Sequence, residues 1–352
     1  MAPTQHTTSA DLGRLVPVLF GHAAFQQLNA GCQLGLFELL DAEGPLPAAR
    51  VCERLGLPER SGDILLLGTT ALGLTALGED GYRNGPPVAA AFGAGLWPVL
   101  RDIVEFQDRI AYLPAADYAE SLRTGTNAGI RRFPGTTADL YSRLAGVPGL
   151  EDLFYRCMHS WSRLSNPVLV ERTDLSGVRR LLDVGGGDAV NAVALARAHP
   201  DLRITVMDRE GALEAARRTI GRAGLADRID TCAADIFSGA YPDGHDCVLF
   251  AHQLVIWSPE QNAALLRAAH RALPPGGLVL VFNAFADDDR SGPLYAALDN
   301  VYFTTLPFRD STLYRWEQCE GWLREAGFTD VRRTAGAGWT PHGVVSGRRP
   351  VG

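Results

Sequence analysis

The sequence predicts an α/β protein, with a doubly wound, Rossmann-like sheet behind an N-terminal helical domain of winged-helix pattern. Three observations predict it. Short apolar runs at 179–184, 203–207, 229–233, 246–251 and 278–284 alternate with helical spacing, as in a parallel sheet covered on both faces. The first run leads straight into Gly185-Gly186-Gly187, where residues without a Cβ allow a sharp turn and close approach of a ligand. Before residue 100, helical periodicities precede a short strand–turn–strand.

Leu15 to Leu28 and Cys32 to Leu40 carry apolar residues at helical spacing. Pro47 opens a helix through Leu55, at a position where its missing N–H costs nothing. Ser61 to Leu72 form the next helix, and Gly73 stops it. Leu74 to Leu77, the turn 78–81 and Tyr82-Arg83 make the wing. In a DNA-binding domain of this pattern the 61–72 helix would read the major groove. It holds Asp63, no Lys or Arg, and the run Ile64-Leu65-Leu66-Leu67, which suits packing or dimerisation instead. The expected division is a polar, disordered tail at 1–12, this domain at 13–100, a helical linker and pocket wall at 101–175, and the sheet domain at 176–352.

A helix at 189–198 follows the glycine turn, and the strand Arg203 to Met207 ends in Asp208. An acid there is placed to accept hydrogen bonds from two ribose hydroxyls, which makes 181–208 a nucleoside-binding βαβ unit. Val190 stands where a dinucleotide fingerprint has its third glycine, and Asp188-Ala189 where a Walker loop has Lys-Ser/Thr. Neither phosphate cradle fits. Val331 to Ala337 and Gly343 to Arg348 are expected to complete the sheet as an antiparallel edge.

The 352 residues are 46% hydrophobic, enough for a full core, and the net charge of −7 disfavours a nucleic-acid partner. No run approaches membrane-spanning length, so no membrane association is expected. Six cysteines without a C-x-x-C pair are expected as free thiols in a reducing cytoplasm. Asp287-Asp288-Asp289 reads as a solvated loop, and no metal is expected.

The Asp183-Val184-Gly185-Gly186-Gly187 form, with an acid at the second strand end, resembles the S-adenosylmethionine (SAM) site of class I methyltransferases. From about residue 15 to 350 the chain resembles SAM-dependent small-molecule methyltransferases of the plant caffeate and bacterial polyketide O-methyltransferase type. Carrying the likeness are Leu34 to Leu40, Leu55-Gly56-Leu57, Gly81 to Asn84, Ala234-Asp235-Ile236-Phe237, Trp257, Leu273 to Gly277 and Ala326-Gly327-Phe328. The resemblance implies SAM as cofactor, a small aromatic or conjugated acceptor, and a homodimer through the N-terminal domain. It also implies donor-site roles: Gly185 and Gly187 at the methionine portion, Asp208 at the ribose, and the Asp235 carboxylate or the adjoining Ile236 amide at the adenine edge, with Asp183 and Arg209 as further cofactor-binding residues. Phe237 and Trp257 would cover the adenine, with Ala251 at the neighbouring strand end. For Asp235 a helix N-cap, and for Trp257 a core aromatic, are the alternatives. Tyr112, Phe154, Tyr155, Met158, Trp161, Phe303 and Phe308 would wall the acceptor pocket.

One part of the family pattern is missing. The histidine that activates oxygen acceptors corresponds to Val255, the acid beside it to Ile256, and the glutamate that orients it to Asn283; a further acidic position aligns near Leu313. A phenol is mostly protonated at neutral pH and needs a base within reach for O-methylation. An electron-rich ring can instead attack from carbon, so C-methylation is expected. His252, three residues before Val255, and His159 are the candidate replacement bases; His252 equally suits a backbone hydrogen bond. O-methylation through a relocated base, or SAM binding without methyl transfer, are the alternatives.

Overall fold

The computed structural model describes residues 12–351; the tail expected at 1–12 lies almost wholly outside them. The chain divides into two compact units, Met1–Asp108 and Arg109–Gly352.

In the first unit the helices are α1 (Val16–Leu19), α2 (Gly21–Leu34), α3 (Leu36–Glu43), α4 (Ala48–Leu55) and α5 (Glu59–Ala71). Gly35 sits between α2 and α3 at φ 76°, so the chain breaks there rather than near residue 30. Helix α5 starts two residues earlier than expected, so Arg60 joins its first turn. Strands β1 (Thr75–Gly78) and β2 (Gly81–Asn84) pair antiparallel, followed by α6 (Pro86–Gly93) and α7 (Trp97–Phe106). Leu36, Phe37, Val51 and Leu66 are fully buried together with Trp97, whose indole N–H donates to Glu38 at 2.9 Å.

The second unit opens with irregular helix: a π-turn at Gln107–Ala111, short 3-10 turns, α8 (Tyr118–Thr124) and α9 (Leu140–Leu144). The 23-residue α10 (Leu150–Arg172) then leads to the sheet. Its strands are β3 (Arg180–Val184), β4 (Arg203–Asp208), β5 (Ile229–Ala233), β6 (Cys247–Ala251), β7 (Leu278–Ala284), β8 (Thr329–Ala335) and β9 (His342–Arg348), in the order β5-β4-β3-β6-β7-β9-β8. Strands β5, β4, β3, β6 and β7 run parallel, and the strand order reverses between β3 and β6. The expected antiparallel pair is present in a different arrangement, because β9 lies inside, antiparallel to both β7 and β8.

Strand periodicity sends alternate residues to opposite faces, which accounts for two cores. Leu181, Ile204, Val206, Leu249, Leu280 and Val344 pack with α11 (Val190–Ala198) and α12 (Glu210–Ala223). Leu182, Met207, Val248, Phe250, Val281 and Val345 pack with α13 (Pro259–Ala272) and α15 (Trp316–Glu325). Helix α14 (Leu294–Thr305) follows β7. Among the described residues no single helix is long and apolar enough to cross a membrane.

Candidate active site

A parallel sheet of this order leaves a crevice at the carboxyl ends of β3 and β6, where the strand order reverses. The glycine turn stands there. Gly185 and Gly187 have φ of 70° and 55°, which an L side chain adopts at a cost. A Cβ at Gly186 would come within 2.5 Å of the Asp183 carboxylate and 3.0 Å of Val206, so the turn is pressed onto the sheet. Gln253 closes it from the far side, its amide N–H donating to the Gly185 carbonyl at 2.8 Å.

Three carboxylates surround this turn. Asp208 accepts from the Gly187 N–H at 2.9 Å and from the Arg209 N–H at 2.7 Å, so it stands at the mouth of the crevice. Asp188 caps the following helix turn through the Val190 N–H and meets His159 Nδ1 at 2.5 Å. Asp183 lies fully buried beneath the turn, with neither oxygen hydrogen-bonded among the described residues. Burial first, then the Asp208 and Asp188 charges, push its carboxyl up to about 7. Such a cluster repels phosphate and suits a cationic ligand. SAM, with a sulfonium and an ammonium and no phosphate, fits both this charge and the Cβ-free cradle.

Next to the crevice, Asp235 accepts from the Phe237 N–H at 2.9 Å, and the Tyr241 hydroxyl holds the Ile236 carbonyl at 3.1 Å. Phe237 is exposed and meets Trp257 edge-on, with centroids 4.9 Å apart; the other side of Trp257 lies against Phe308 at 4.8 Å. Ala251, at the end of β6, is buried.

The acceptor-side residues fall into two groups. Phe154 is buried against Tyr141, whose ring also meets Phe308 at 5.5 Å; Tyr155 packs on Phe154 and stays exposed. In the second group, Trp161 meets Tyr295 at 5.9 Å and the exposed Trp339 at 6.2 Å. Met158 lies on the same helix, half-buried, and Tyr112 is half-buried just after the π-turn. Phe303 packs on a cluster made of Val255, Ala284, Ala296 and Leu313. Two positions where the family carries acid–base groups, 255 and 313, are therefore neighbours here and wholly apolar. Asn283 is buried on β7, its Oδ1 without a hydrogen-bond partner among the described residues.

The two candidate bases are both engaged. His252 follows β6 at φ 58°, its Nε2 lies 3.1 Å from the Ser165 hydroxyl, and its ring packs on Phe282 and His342. Burial pushes its imidazole down to about 4, which leaves it neutral and a weak proton acceptor. His159 ties α10 to the glycine turn through Asp188 rather than reaching the Val255 cluster.

Sequence reasoning missed Gln253, Trp339 and the inner face of α14. There Tyr295, Asp299 and Tyr302 recur at three- and four-residue spacing with the expected Phe303, and that period was the available signal.

An O-methyltransferase family model matches residues 117–329. The chain belongs to the O-methyltransferase family. It is 44% identical to an L-tyrosine C(3)-methyltransferase of Streptomyces lavendulae over 95% of this chain and 92% of that one. A 3-hydroxy-5-methyl-1-naphthoate 3-O-methyltransferase of Streptomyces sahachiroi is 35% identical over 92% of this chain and 91% of that one. Among solved structures, the apo form of the S-adenosylmethionine-dependent methyltransferase SibL is 75% identical, with a TM-score of 0.89 over 96% of this chain and 99% of that chain. This family member is thus a SAM-dependent methyltransferase of small aromatic molecules of natural-product pathways.

Proposed function

We propose that the enzyme methylates a ring carbon of a small, electron-rich hydroxyarene. The observation that carries this reading is the apolar cluster of Val255, Ala284, Ala296 and Leu313, which leaves the usual oxygen-activating position without a proton acceptor. The relative that methylates C3 of L-tyrosine supports it, and suggests a phenol with a free ortho position as acceptor. SAM, when bound, supplies an electrophilic methyl group. The protein's own contribution is placement: Asp208, the glycine turn and the Phe237–Trp257 pair fix the donor, and aromatic walls on α10 and α14 orient a flat acceptor. Alignment of the reacting atoms at roughly 3–3.5 Å is a large rate effect by itself. Incubation with methyl-labelled SAM and a panel of hydroxyarenes including L-tyrosine, followed by NMR, tests it. An aryl-methyl signal is expected, and a methoxy signal overturns the reading.

The same proposal covers the assembly and its setting. The family resemblance supports a cytoplasmic homodimer joined through the first unit as a dimerisation domain. Val18, Leu19 and Phe20 of that unit are exposed, as are Ile64 and Leu67 on α5, an apolar surface that a second copy would cover. The division into a dimerisation domain at 13–100 and a linker and pocket wall at 101–175 belongs to this reading. Sedimentation of the full chain is expected to give a dimer.

A further inference from the structure

Asp299 is an acid on an otherwise aromatic and apolar helix face. On α14 it lies four residues from Tyr295 and Phe303 and three from Ala296 and Tyr302, so these side chains share one face. Tyr295, Ala296 and Phe303 all belong to the cluster around Val255 and Leu313. The helix is pinned to that cluster: Asn300 Oδ1 accepts from the Leu313 N–H at 2.7 Å and from the Thr312 hydroxyl at 3.0 Å, while the Thr312 N–H donates to the Val255 carbonyl. Asp299 thus stands one helical turn from residues that pack on the position the family histidine would occupy.

Its surroundings are those of a working carboxylate. Asp299 is half-buried on this face, as are Tyr302 and Tyr295. The Tyr295 hydroxyl donates to it, and no cation contributes to its charge balance. Burial drives its carboxyl up to about 7, against a smaller downward pull from Tyr295. The other titratable groups whose charge acts on this face are Cys157 on α10, Tyr141 on α9 and Tyr302 on α14, with His342 on β9 6.4 Å from the Tyr295 ring.

We propose that Asp299, oriented by the Tyr295 hydroxyl, takes the phenolic proton of the acceptor and thereby makes its ortho carbon nucleophilic. This rests on the carbon-methylation reading above. The phenol O–H bond breaks and its proton passes to the Asp299 carboxylate. The ortho carbon of the phenolate forms a C–C bond as the methyl–sulfur bond breaks, the electron pair staying on sulfur. The ring proton at that carbon then leaves to water as aromaticity returns, and Asp299 gives its proton back to the oxygen, so one proton is released overall. A carboxyl titrating near 7 is better matched to a phenol near 10 than one near 4, and a positioned base of this kind is worth roughly 10²–10⁴-fold.

The test uses the full-length enzyme with S-adenosylhomocysteine, titrated with L-tyrosine and with any hydroxyarene the NMR panel shows to be methylated. Calorimetric titration is expected to show Asp299→Asn binding S-adenosylhomocysteine and the acceptor as the wild type does. In turnover, Asp299→Asn should lower kcat about 100-fold or more with little change in KM. Asp299→Glu should recover part of it. The acid limb of the wild-type kcat/KM profile should lie near pH 7 and move upward in Tyr295→Phe, because the lost hydrogen bond favours the ionised form. An Asp299→Asn variant that keeps the wild-type kcat and still gives an aryl-methyl product overturns the role of Asp299 and leaves carbon methylation standing. So does an Asp299→Asn variant that raises KM alone, which would make the carboxylate a binding contact for an ammonium. A methoxy product overturns the underlying reading instead.

Discussion

At the donor end of the site, a bound ligand would meet backbone, three glycines and carboxylates drawn mainly from residues 183–208. At the acceptor end it would meet side chains from α9, α10, the segment around Val255, α14 and β9, which span residues 141–342. The donor end is polar, and its shape depends on atoms that are missing: a Cβ at Gly186 has nowhere to go. The acceptor end is aromatic, and its shape depends on ring contacts such as those linking Trp161, Tyr295 and Trp339. The first tolerates almost no change in its glycines, whereas the second can be rebuilt by exchanging rings. A family with one cofactor and many acceptors has use for both properties.

The largest effect that would sharpen this contrast is Gly186→Ala. Its Cβ would meet Asp183 and Val206, neither of which is a flexible chain end, so the turn itself must move. SAM affinity measured by calorimetry should fall on the order of 100-fold, about 3 kcal/mol. An affinity within threefold of the wild type would break the claim that the donor end is fixed by its backbone.

Asp183→Asn follows. The native carboxyl titrates at about 7 against 3.8 for an ordinary aspartate, so the stability of its neutral form is complete below pH 3.8 and is lost as pH rises through 7. The melting temperature of the variant relative to wild type, without ligand, should therefore climb between pH 4 and 8 and then level off. A flat difference across that range would show that the carboxylate is answered by another group. Smaller still is Val255→His, which tests the acceptor end. The imidazole would enter a cluster with Leu313 and Ala284 and no acid to orient it. A stability loss of about 1–3 kcal/mol is expected from burying a polar ring without a partner. The product, read by NMR, should remain the same.

The contrast also explains what could be read from the sequence. The strands, the glycine turn and Asp208 lie within 30 residues and follow local rules, so they were legible. Position 255 was legible too, because a valine in place of a histidine is a difference in kind. Asp299 was not, since only the fold sets its helix face, through Ala296 and Phe303, against Val255 and Leu313. His252 drew attention as a histidine near the reaction centre. Only the fold shows it wedged between Phe282 and His342 at a left-handed φ. The misplaced helix break before α3 has a simpler cause: apolar spacing continues across Gly35, and only its positive φ marks the end of one helix.

The placement of β9 has a consequence for the order in which the molecule can be built. A ribosome delivers β3 to β7 and then β8 before His342–Arg348 emerges, yet that later segment is the one that must slot between β7 and β8. Until then β7 presents an unpaired edge of seven buried residues, Leu278 to Ala284, the sort of edge that recruits other chains. The acceptor end waits on the same event, because His342 arrives with β9 to close the wall beside Tyr295 and His252. The nucleoside half of the crevice is thus assembled early in synthesis, and its aromatic half is completed only when the sheet is sealed.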